Sequence, residues 1–134
     1  MNIVGFELPH QLEADLMERG AKLAPDEIAS LQALLGFVEV PAPRMYSQEE
    51  IVSANRLWSS TGMQFYIGTA SASFQPGDID PKRTLIIGQA EPDSPIALDY
   101  RTDPPRDVYF GDVEHVSYWL EMAPNYEELV AKLH

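Results

Sequence analysis

Apolar positions recur along this chain at two different periods, and the change of period marks where helices give way to strands. Leu8, Leu12 and Leu16 step by four residues, with Met17 widening the stripe. That spacing predicts a helix from Pro9, favoured in a first turn, to Arg19, just before Gly20. Ile28, Leu31, Leu34 and Leu35 repeat the pattern between Pro25 and Gly36, where Asp26 and Glu27 suit the N-terminal end of the helix dipole. Phe37 to Met45 holds Pro41 and Pro43, which permits an extended stretch but not a central strand. Ser47-Gln48-Glu49-Glu50 is a capping box, and it starts a third helix whose Ile51, Ala54, Asn55 and Trp58 share one side. Asn55 is a polar residue on a buried face, so its side chain is expected to hydrogen-bond a neighbouring backbone.

From Gln64 the helical period is lost. Phe65-Tyr66-Ile67 and Thr69 are aromatic and β-branched and predict a strand, and Ser71 to Lys82, with Pro76-Gly77-Asp78 and Asp80-Pro81, predicts a loop. Leu85 to Tyr100 is predicted as a hairpin of two apolar runs with an extended connection, Ala90 to Pro95. Ile96, Leu98 and Tyr100 fall on one face and Ala97 and Asp99 on the other, with one face expected to be buried. Thr102 to Arg106 predicts a turn, Asp107 to Phe110 a short strand, and Val116 to Met122 a last extended segment. Tyr126, Leu129, Val130 and Leu133 predict a closing helix capped by Asn125, with Glu127 and Glu128 in its first turn and Lys132 in its last. The expectation is one α+β domain over residues 1–134, a largely antiparallel sheet of about four to six strands with helices packed on one side.

Composition narrows the function. The chain has 134 residues and no cysteine, which excludes disulfides and thiolate metal sites and suits a reducing compartment. Its first residues lack a basic start followed by an apolar run, and no segment approaches the roughly 20 apolar residues of a membrane helix. A cytoplasmic protein without membrane contact is the expectation. Nine Lys and Arg stand against 21 Asp and Glu, a net charge of −12. No basic footprint for nucleic acid is present. The acid either solubilises the chain or meets a basic protein partner.

Catalytic chemistry finds little support. His115 beside Asp112 and Glu114 could bind a metal or act as a base, but the spacing matches no ligand motif. Asp78 and Asp80 resemble the start of a calcium loop, yet Pro81-Lys82-Arg83-Thr84 follows where ligands are needed. His10 and His134 read as solvated surface groups, the glycines form no phosphate loop, and the serines lack a nucleophile-elbow context. No cofactor is expected. Trp58 and Trp119 are expected in the core, although an exposed one would anchor a partner. The acids of the predicted connections are the candidate partner-binding residues: Asp78, Asp80, Glu91, Asp93, Asp103, Asp107, Asp112 and Glu114.

Three stretches carry a resemblance. Ile96-Ala97-Leu98-Asp99-Tyr100, Pro105-Arg106-Asp107-Val108-Tyr109 and Ala123-Pro124-Asn125-Tyr126-Glu127-Glu128-Leu129 resemble, in that order, the closing pattern of the SUKH superfamily. Leu8-Pro9 with Gly20, and Ser47-x-x-Glu-Ile ahead of Asn55 and Trp58, are similar to its first half. The resemblance spans Leu8 to Leu133 and is strongest over about the last fifty residues. Lys22 to Arg44 departs from it, and only seven residues precede Leu8, where members often carry a further helix. The resemblance implies an α+β fold without enzymatic activity, Asp99 as a structural residue, and an immunity protein that neutralises a bacterial toxin, frequently a nuclease. Fungal relatives regulate cell-wall assembly, so a regulatory or scaffolding role with an endogenous partner is the alternative. A small metal-dependent enzyme using Asp99, Asp112 and His115 is the other.

Overall fold

Helix ends in this chain are set by local chemistry. The computed structural model describes residues 1–36, 43–60 and 66–134. Helix α1 (His10–Arg19) stops where Gly20 turns left-handed at φ 63°, and α2 (Pro25–Leu35) stops in the same way at Gly36, φ 79°. Helix α3 (Gln48–Ser60) starts at the capping box: the Ser47 backbone N–H donates to Glu50 and the Glu50 N–H donates to Ser47 Oγ, at 3.1 and 3.3 Å. Helix α4 (Tyr126–Leu133) starts where Asn125 Oδ1 accepts the Glu128 N–H at 2.9 Å.

The strands are β1 (Asn2–Ile3), β2 (Phe6–Glu7), β3 (Arg44–Met45), β4 (Pro76–Gly77), β5 (Thr84–Glu91), β6 (Ser94–Asp99), β7 (Arg106–Val113) and β8 (Val116–Ala123). The first two pair only with each other, a small hairpin the apolar pattern does not announce. The other six form one antiparallel sheet in the order β3-β5-β6-β7-β8-β4. Both edge strands are short, which leaves little open backbone for another chain to pair with. Among the described residues, an α+β domain with a six-stranded antiparallel sheet and four helices is therefore what the chain forms.

Three details differ from the sequence pattern. Phe65 lies outside the described residues, and Tyr66 to Thr69 forms no strand, because Gly68 at φ 84° confines pairing to a bridge with Asp78. The expected loop from Ser71 to Lys82 contains β4 and a short 3₁₀ turn, Pro81–Arg83. The β5–β6 connection is a tight turn at Pro92–Asp93, and the irregularity moves into the strand as register shifts near Ile87 and Ala90. The extended segment expected over Phe37 to Met45 lies outside the described residues up to position 42, and β3 follows.

Both faces of the sheet are buried, not one. On the first, Leu85, Ile87, Ile96 and Leu98 meet Leu12 and Leu16 of α1, Leu31 and Leu35 of α2, and Tyr126, Leu129 and Leu133 of α4. On the second, Ile86, Ala97, Val108, Phe110 and Trp119 pack with Trp58 of α3, Tyr66 and Ile79. Helix α3 reaches both clusters, Ile51 entering the first and Trp58 the second, so it lies across the β5 edge. Trp58 and Trp119 meet edge to face at 6.3 Å, and Trp119 is fully buried. Residues 78–83 carry the chain from β4 at one edge to β5 near the other, burying Ile79 beneath the second face. Among the described residues, no helix is long and apolar enough to cross a membrane.

Candidate partner-binding site

Antiparallel order places alternate turns at the same end of a sheet. The β5–β6 turn at Pro92–Asp93 and the β7–β8 turn at Glu114–His115 therefore share one end, while the β6–β7 connection and the start of β5 share the other. Glu114 and His115 both take positive φ, 52° and 70°, as the central pair of a tight hairpin turn. Between these turns lies a cleft of about 680 Å³, walled by Glu91, Asp93, Ser94, Asp112 and Ser117 and by the rings of Tyr66, Tyr109 and Phe110.

Among the described residues, three carboxylates line this cleft and no Lys, Arg or His does. Two are steadied by serines: Ser117 Oγ donates to Asp112 at 2.8 Å, and Ser94 Oγ approaches Glu91 at 3.4 Å. Burial pushes the Tyr109 phenol above its usual range, so it remains a neutral group near physiological pH. The cleft thus offers negative charge on a rigid strand framework beside aromatic surface.

The other candidate acids separate. Asp78 and Asp80 lie on the segment that crosses beneath the sheet, and Asp103 is exposed in the β6–β7 connection. Asp78 is tied to Arg101, whose guanidinium donates to its carbonyl at 2.6 Å and its carboxylate at 3.3 Å. Asp80 Oδ1 accepts the Lys82 N–H and caps the 3₁₀ turn. Glu114 is exposed in the β7–β8 turn, next to the cleft but not among its lining residues. Asp107 must be removed from the surface set: it is fully buried, because the β6–β7–β8 register sets it opposite Leu98 and Ala123 inside the helix-covered core.

Asp99 is buried as well, but fully partnered. Arg101 Nε approaches it at 3.0 Å, Arg106 Nε at 2.9 Å, and the Arg101 backbone N–H at 3.1 Å. Burial alone would raise its pKa, and the two guanidiniums with the N–H bring it below the usual aspartate range. Its contacts clamp the crossing segment to the sheet. Asp99 also sits at the opposite end of the strands from Asp112 and His115, about six residues or roughly 20 Å along β7. Those three do not converge, and among the described residues no group of three or more His, Asp or Glu is placed to hold a metal ion.

Two features escape a sequence reading. Glu27 is buried at the start of α2, bound by both terminal nitrogens of Arg19 at 2.6 and 2.9 Å, by the Ala24 N–H, and by His134 Nε2 at 3.1 Å. His134 is exposed, as expected, and also reaches Glu27. The aromatic wall of the cleft was also hidden, although Gly111 was a signal: a Cβ there would meet the Tyr109 ring at 3.3 Å. No protein-family model, characterised protein or solved structure matches this chain.

Proposed function

We propose that this chain is a non-catalytic protein-binding module, an immunity protein of the SUKH kind that works in the cytoplasm and neutralises a toxin domain. The single observation that carries the reading is the cleft walled by Glu91, Asp93 and Asp112 with no basic residue among the described residues of its lining. A net charge of −12 adds a long-range field of the same sign. Such a surface accelerates the approach of a basic partner and selects against acidic ones. A nuclease fits this chemistry, since its substrate site must be basic to hold phosphate. Neutralisation would be by occlusion, the hairpin-turn end of the sheet covering that site. The rigid strands behind the turns limit the ordering cost of docking.

The test begins with co-purification of a partner from cells of the source organism, whose identity separates a toxin from an endogenous protein. Association is then followed by stopped flow at several salt concentrations for the wild type and for the triple variant Glu91→Gln, Asp93→Asn, Asp112→Asn. The expected result is association slowed roughly tenfold at low salt, with a flatter salt dependence. Identical kinetics would remove the cleft from the interface.

A further inference from the structure

Among the described residues, Asp107 is the one buried acid of the core that no donor reaches. Its residue is fully buried and neither carboxyl oxygen has a hydrogen-bond partner. It sits near the start of β7, opposite Leu98 and Ala123, on a strand against which α4 packs. Two phenols lie close enough to feel its charge, Tyr100 at the end of β6 and Tyr126 on α4. Both have directed their protons elsewhere. Tyr126 Oη donates to Asp15 Oδ2 of α1 at 2.9 Å, and Tyr100 Oη donates to the Glu7 carbonyl of β2 at 2.8 Å.

The surrounding cations are committed in the same way. Arg106, the preceding residue on β7, faces Asp99 and Glu121. Arg19 of α1 is bound to Glu27, and Lys132 of α4 donates to the Met122 carbonyl. The groups that these phenols bond, the Asp15 carboxylate and the Glu7 carbonyl, are acceptors and bring no donor to Asp107. An ionised Asp107 has nothing here to replace its water.

We propose that Asp107 is a proton-locked latch: α4 lies on the sheet only while the Asp107 carboxyl is neutral, and losing that proton releases α4 together with the Tyr126–Asp15 tie to α1. Burial pushes this carboxyl well above the usual aspartate range. The docked carboxyl therefore holds its proton more tightly than the released one. Docking is fully favoured below the ordinary aspartate pKa of about 3.9, and weakens about tenfold per pH unit from there up through the docked titration.

The experiment uses the full chain and two readouts. Carbon-13 NMR follows the Asp107 carboxyl, and amide exchange, corrected for its intrinsic pH dependence, follows Leu129 and Val130 in wild type and Asp107→Asn. The carboxyl signal is expected to remain protonated after the exposed aspartates have ionised. Protection in α4 is expected to fall about tenfold per pH unit in the wild type, to lose that slope in Asp107→Asn, and to stay below that of β5 and β6, which open only on global unfolding. Titration of Asp107 in the ordinary aspartate range, equal slopes in the two proteins, or α4 protection equal to that of β5 and β6 would overturn the latch. Should Asp107→Asn fail to fold, the wild-type carboxyl titration and the lower protection of α4 relative to β5 decide the matter alone.

Discussion

Replacing Asn55 by alanine tests how α3 closes the edge of the sheet. Asn55 Nδ2 donates to the carbonyls of Ile51 and Ile86 at 2.7 and 2.8 Å, and its Oδ1 accepts the Ile86 N–H at 2.8 Å. The side chain thus bonds the β5 backbone as a neighbouring strand would, below the level at which β3 pairs with Gly88 and Gln89. Alanine leaves the Ile86 N–H and carbonyl buried without partners, at about 1–3 kcal/mol each. Allowing for partial relaxation, the expected loss is about 3 kcal/mol, a large share of the roughly 5–15 kcal/mol that holds a domain together. Urea unfolding followed by the fluorescence of Trp58 and Trp119 measures it. Asn55→Asp is the sharper variant, because it keeps the acceptor but sets a carboxylate against two carbonyl oxygens. It is expected to be less stable than Asn55→Ala at pH 7 and to recover as the pH falls and the acid regains a proton to donate. A loss below about 0.5 kcal/mol in Asn55→Ala, the range of an ordinary surface substitution, would refute the edge-closing role.

Other outcomes follow from the ion pairs and the turns. The Arg19 guanidinium holds Glu27 at about 2 against a usual 4.5, so its contribution is present above pH 4.5 and is lost as pH falls towards 2. Denaturation at stepped pH should show the gap between wild type and Glu27→Gln narrowing across that window. Arg101→Ala should cost about 3 kcal/mol in chemical unfolding, since it leaves buried Asp99 to Arg106 alone and frees the segment held at Asp78. Val4 is half exposed at φ 50° in the β1–β2 turn, a conformation costing a β-branched residue about 1–2 kcal/mol. Val4→Asn should therefore raise the melting temperature.

What could be read from the sequence was what short-range chemistry determines. Gly20, Gly36, the Ser47–Glu50 box and Asn125 end or start helices through contacts a few residues long, and each does so here. The antiparallel sheet was legible from the two-residue period of Ile96 and Leu98 and from the turn formers around it. Asp107 was not, because an acid beside a turn is ordinarily solvated, and only its register against Leu98 and Ala123 turns it inward. Strands β3 and β4 are too short to show a period, and β4 exists only through its pairing with Leu120 and Trp119. The acids of the candidate cleft carried a partial signal: composition marked Glu91, Asp93 and Asp112 as turn acids, but their shared end depends on the order of the strands.

The crossing segment bears on how the chain is made. Residues 78–83 and Tyr66 cover a face whose central residue, Trp119, donates from Nε1 to the Tyr66 carbonyl and is translated long after them. At about 5–20 residues per second, Trp58 and Tyr66 wait several seconds on the ribosome before Trp119 arrives. Through that interval the aromatic cluster lacks its centre, β4 lacks its pairing partner on β8, and nascent chains are exposed to one another and to chaperones.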